Sequence, residues 1–160
     1  MSEQALLVLA DGTSWRGISF GASGQTLGQL AICTDMTGYQ ERLTAPTSAG
    51  QILVMTAPHI GNTGVNDQDS LSGQPTAAGL VVRAPARRWS NWRGSQSLPD
   101  WLANHGVVAI GQVDTRAITL HLRQTGPVKA GIFTGSVLFD QRGRELPLDQ
   151  LLELVVAKTA

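Results

Sequence analysis

Residues 97–126, SLPDWLANHGVVAIGQVDTRAITLHLRQTG, decide the fold class, because two capped helices flank a short apolar strand. Ser97 is placed to cap the first helix, with Asp100 three positions on and Gly106 as the stop. A cap of this kind satisfies otherwise orphaned backbone N–H groups and contributes roughly 1 kcal/mol. The second helix repeats the logic with Asp114 as cap and Gly126 followed by Pro127 as terminator. Ala117, Ile118, Leu120 and Leu122 supply much of its apolar face. Between the helices, GVVAIG (106–111) reads as a strand.

Working outward, ALLVL (5–9), an Asp11-Gly12 turn and TSWRGISF (13–20) read as a hairpin, since Asp-Gly readily takes the positive φ of tight turns. GQLAICT (28–34), QILVMT (51–56), AAGLVVR (77–83) and VKAGIF (128–133) are further strands, rich in Val, Ile or Leu and bounded by Gly, Pro or Thr. That makes about seven strands. A third helix over 147–158, PLDQLLELVVAK, carries Leu148, Leu151, Leu152, Val155 and Val156 at helical spacing. The expected architecture is α+β, an open or partly rolled sheet covered by helices. Residues 57–76 form a polar, Gly-rich loop too long for a simple connector, the kind of segment that carries function.

The chain of 160 residues fits one ordinary domain, stable without metal or disulfide. Twelve basic and twelve acidic residues leave a formal charge of zero, which gives no global attraction for nucleic acid or an anionic membrane. The single cysteine excludes an intramolecular disulfide, the N-terminus lacks a secretory pattern, and no apolar run is long enough to span a bilayer. A cytoplasmic protein is expected.

Cys33 is the obvious candidate nucleophile, but no base or cation to activate the thiol is visible beside it. Strand alternation sets Ala31, Cys33 and Asp35 on one face and Leu30, Ile32 and Thr34 on the other, so packing is the simpler role. His59, His105 and His121 show no metal spacing, and His105 at a helix end suits that helix's terminal carbonyls. Gly21, Gly24 and Gly28 lead into a strand rather than a helix, which favours a turn over a phosphate cradle. RAPARRWSNWR (83–93) interleaves Arg83, Arg87, Arg88 and Arg93 with Trp89 and Trp92. Without a wider basic footprint this composition fits a protein contact better than single-stranded nucleic acid. No motif supplies a complete catalytic set, and the residues alone describe a binding or scaffolding domain.

Taken in order, MTGYQERLTAPTSAGQI (36–52), TAPHIGNTGVN (56–66), GLVVR (79–83), SNWR (90–93), the stretch 97–126 and VKAGI (128–132) resemble one family. It is the small, glutamine-amidotransferase subunit of carbamoyl-phosphate synthetase, through its N-terminal domain. The resemblance implies a three-layer β/β/α domain over residues 1–134. Residues 135–160 would then be a C-terminal helical segment able to link it to a glutaminase domain.

It also implies a heterodimeric ligase. The small subunit hydrolyses glutamine, and the large subunit combines the ammonia with bicarbonate and ATP to give carbamoyl phosphate for pyrimidine and arginine biosynthesis. The cysteine, histidine and glutamate of hydrolysis belong to the second domain, so no catalytic residue and no metal ligand is expected in this chain. No cofactor is expected here either; ATP and divalent metal would sit on the large subunit. The implied partners are that subunit, the glutaminase domain and glutamine; the Arg and Trp composition of 83–93 places Arg87, Arg88, Trp92 and Arg93 at the expected partner interface. The family's glutamine-contacting serine lies in an L-T-D-P-S segment. Here that segment reads Leu43, Thr44, Ala45, Pro46, Thr47, so Thr47 retains a hydroxyl for the substrate. Gln29 and Asp35 depart from the family's common glutamate and serine, and Cys33 stands where asparagine is common. The competing reading is a stand-alone protein-binding module built on the same fold.

Overall fold

The computed structural model describes residues 3–34, 38–57, 60, 74–85 and 97–157. Among the described residues seven strands run in chain order: β1 (Gln4–Leu9), β2 (Ser14–Ser19), β3 (Gln25–Cys33), β4 (Gln51–Met55), β5 (Gly79–Val81), β6 (Val108–Gly111) and β7 (Lys129–Thr134). The α-helices among the described residues are α1 (Tyr39–Thr44), α2 (Leu98–Asn104), α3 (Thr115–Thr125) and, after the last strand, α4 (Leu148–Ala157). The protein is α+β as expected, but the sheet is neither open nor partly rolled. It closes on itself in the order β1-β2-β6-β5-β4-β3-β7.

Closure combines two kinds of pairing. β3, β4, β5 and β6 are mutually parallel, whereas β7, β1 and β2 complete the ring through antiparallel pairs. Parallel neighbours need crossover connections, and these carry α1 between β3 and β4 and α2 between β5 and β6. Strand alternation then sorts the apolar residues. Leu7, Leu9, Leu30, Ile52, Val54, Val81, Ile110 and Ile132 fill the interior, joined by Ile118 and Leu122 of α3. Outside the parallel strands, Cys33, Leu53, Met55 and Leu80 pack with Tyr39 and Leu43 of α1 and Leu98, Trp101 and Leu102 of α2. Outside β1 and β7, Leu6, Val8 and Phe133 pack with Leu138 and with Leu151 and Val155 of α4. β1 is therefore buried on both faces, which is why ALLVL is a continuous apolar run.

The caps behave as the sequence predicts. Asp100 N–H donates to Ser97 Oγ (3.2 Å) and Ala117 N–H to Asp114 Oδ1 (3.0 Å). At the end of α2, Gly106 takes φ +71° while its N–H and that of Val107 bond Ala103 O and Leu102 O, a Schellman ending. His105 Nδ1 lies 2.9 Å from Trp101 O, among the terminal carbonyls. β1 and β2 form the expected hairpin: Leu9 N–H donates to Thr13 O across the turn, Gly12 N–H donates to Leu9 O, and Gly12 takes the positive φ. Leu120 lies off the apolar face of α3 and is 50% exposed, since Ile118 and Leu122 already define that face four residues apart. The region after β3 contains α1, which the strand-oriented sequence reading leaves out.

β2 meets β6 through only two residue pairs, Ile18↔Gly111 and Ser19↔Ile110. At this seam a Cβ on Gly17 would lie 2.2 Å from Gly111 O, so only glycine permits the approach. Gly17→Ala is expected to lower unfolding stability by about 1–3 kcal/mol. An unchanged urea midpoint would mean that the seam has room to spare.

Candidate functional site: the Thr47 turn

Pro46 keeps α1 short. Ala45 is extended (φ −68°, ψ 139°) ahead of Pro46, a residue that disfavours helix before it and has no N–H to give back to the helix. The chain then makes one 3₁₀ turn, Pro46–Ser48, and enters β4. The last carbonyls of α1 find donors elsewhere. Ser48 Oγ donates to Arg42 O (2.7 Å), and Leu43 O accepts from the backbone N–H groups of Thr76 (2.8 Å) and Ala77 (3.3 Å). Thr76 Oγ1 lies 2.5 Å from Ala45 O, which also accepts from Ser48 N–H (3.0 Å). Tyr39, Gln40, Leu43, Thr44 and Ser48 are buried, whereas Thr47 is exposed. The result is a pinned turn that presents one hydroxyl side chain outward.

Cys33 is 4% exposed within the core cluster beneath α1 and α2, the packing role its strand position predicts. Of the residues assigned to a partner interface, Arg87, Arg88, Trp92 and Arg93 lie outside the described residues, as do His59 and most of the 57–76 loop. No group of three or more His, Cys, Asp or Glu is placed to hold a metal among the described residues.

The third histidine makes a separate polar cluster. His121 Nε2 lies 2.6 Å from Asp11 Oδ2 and 3.3 Å from Thr13 Oγ1, with the Trp15 ring edge-on at 5.8 Å. Hydroxyl and carboxylate meet the same ring nitrogen, so this is no nucleophile relay, which needs them on opposite nitrogens. The cluster ties the β1–β2 connection to α3. Burial pushes the Asp11 carboxyl up, but the Thr13 backbone N–H and the His121 ring outweigh it and hold the pKa below the usual carboxylate value. A lowered folded pKa contributes stability that is full above the ordinary value and lost as pH falls through the folded one. The stability gap between the native protein and Asp11→Asn should therefore narrow as pH drops below about 4; urea unfolding at stepped pH measures it.

The model of the carbamoyl-phosphate synthase small chain, CPSase domain, matches residues 7–132. This chain belongs to that family. It is 53% identical over 137 residues to the carbamoyl phosphate synthase small chain of Streptomyces avermitilis, a match covering 86% of this chain and 36% of the relative. The Corynebacterium glutamicum small chain is 49% identical over 156 residues, covering 96% of this chain and 38% of that one. For the Synechococcus small chain the values are 52% identity, 82% and 34%. The chain thus spans about a third of the length of the curated relatives it matches. Among solved structures, an aminopeptidase from Aneurinibacillus sp. strain AM-1 gives a TM-score of 0.47 at 14% identity, over 82% of this chain and 30% of that one.

The family resemblance points to Thr47 but not to the residues that hydrogen-bond its turn. Gly38 before YQERLT and the Ala45-Pro46 pair after it are boundary signals for a short helix, and they were available in the sequence. Thr76, 31 residues from Ala45, carries no local signal of its contact.

Proposed function

We propose that this chain is the non-catalytic part of a glutamine-hydrolysing carbamoyl-phosphate synthase small subunit. In this reading it supports a glutaminase domain, contacts the large subunit and lends the Thr47 hydroxyl to bound glutamine. The observation that carries the proposal is the membership in the small-chain family, joined to a pinned turn that exposes the hydroxyl at the family's substrate-contacting position. The burial of the only cysteine is consistent with a nucleophile located in another domain.

The finer fold type would be the family's three-layer β/β/α arrangement, with the two walls of the closed sheet as two layers and the outer helices as the third. Residues 135–160 would lead toward the glutaminase domain, with α4 anchored on β1 and β7 before the connection. ATP and divalent metal would be handled by the large subunit, where ammonia, bicarbonate and ATP become carbamoyl phosphate for arginine and pyrimidine synthesis. The cytoplasm is the proposed location; among the described residues no helix is long and apolar enough to cross a membrane. Arg87, Arg88, Trp92 and Arg93 remain the proposed contact with the large subunit or the glutaminase domain, on the strength of the Arg and Trp enrichment of interface hot spots.

Two measurements test this function. The purified 160-residue chain should release no ammonia from glutamine, and thiol-dependent release would overturn the division of labour. In a pull-down titration, the chain should bind a carbamoyl-phosphate synthase large subunit. Replacing Arg87, Arg88 and Trp92 together with Ala should weaken that binding by at least about tenfold, which corresponds to roughly 1.4 kcal/mol. Unchanged affinity removes the segment from the interface, and no binding by the native chain removes the large subunit as partner.

A further inference from the structure

We infer that Thr76 is a positioning residue for Thr47, an inference that rests on the reading that Thr47 meets glutamine. Ala45 occupies the cap position of the 3₁₀ turn, and no side chain caps that turn. A methyl group has nothing to offer the turn, and at the Ala45 carbonyl the side-chain support comes from another segment. Thr76 supplies it from just before β5. Its hydroxyl has one proton and two carbonyls within reach, Ala45 O at 2.5 Å and Leu43 O at 3.2 Å. Leu43 O already accepts two backbone N–H groups, so the proton goes to Ala45 O.

That carbonyl is also the acceptor from which the turn hangs, through Ser48 N–H. Fixing it fixes the plane of the Ala45-Pro46 peptide and, two residues on, the direction of Thr47. Ser48 Oγ on Arg42 O anchors the far side of the same turn. An exposed side chain on a pre-set backbone meets a ligand without first paying the entropy of ordering its loop. Losing the Thr76 hydroxyl therefore leaves Thr47 chemically intact and mispositioned.

The test uses the small subunit that carries this sequence, assembled with its large subunit, and steady-state kinetics in glutamine. Thr47→Val should raise the KM for glutamine about three- to tenfold, the worth of one hydrogen bond. Thr76→Val should raise KM by a similar factor with kcat within about twofold, Thr76→Ser should restore it, and synthesis from added ammonia should be unchanged. In the double variant, KM should be no higher than in Thr47→Val alone, because the two residues act through one contact. If Thr47→Val shifts KM and Thr76→Val does not, or if their effects multiply, positioning by Thr76 is overturned while the glutamine reading stands. If Thr47→Val itself leaves KM unchanged, the glutamine reading fails and the inference with it. Amide hydrogen exchange at Ser48 and Ala49 in the same assembly gives a second readout: it should speed up at least about tenfold in Thr76→Val relative to Thr76→Ser, and equal rates would overturn the bracing role.

Discussion

Everything in this fold depends on a single sheet closing around one apolar interior. Once β7 pairs with both β1 and β3, every strand has an inside and an outside, and a one-residue slip of β1 would turn Leu7 and Leu9 out of the interior together, as a slip of β4 would Ile52 and Val54. Fully burying each such side chain stabilises by about 1.5–3 kcal/mol, so the register is held by many residues at once. The parallel half of the ring adds a second constraint. Strands that run the same way must be joined by crossovers, and the crossover between β3 and β4 is where α1 and the Thr47 turn lie.

The site is thus a by-product of topology, refined by local chemistry. Proline ends α1 and deprives its last carbonyls of donors, and the protein answers with hydroxyl and amide groups from Ser48, Thr76 and Ala77. Carbonyls left over at a helix end must be satisfied somewhere, and here the donors come from the turn itself and from the segment that leads into β5. The same bonds tie the turn to α1 and to the segment before β5. α4 covers Leu6, Val8 and Phe133 on the outside of β1 and β7.

Much of this was legible in the sequence because the signals were local. All seven strands and three of the helices emerge from apolar runs and caps, and Ser97 and Asp114 each fix a helix start within four residues. Closure was not legible, since the pairing of β2 with β6 rests on two residue pairs about ninety positions apart in sequence and on the absence of a side chain at Gly17. The position of Thr47 came from a family pattern, and its exposure and bracing came only from the three-dimensional arrangement. Leu120 misled because apolar character alone does not place a residue on a helix face; its spacing from Ile118 does.

The proposed function divides the labour between the hydroxyl that Thr47 presents here and a thiol supplied by another domain. Site-specific photo-crosslinking tests that division most directly: a photoreactive amino acid at position 47, in the small subunit assembled with its large subunit, reports what the turn faces. Crosslinks to the glutaminase portion, reduced when glutamine fills the site, are the expected result. Crosslinks to the large subunit alone, indifferent to glutamine, would contradict it.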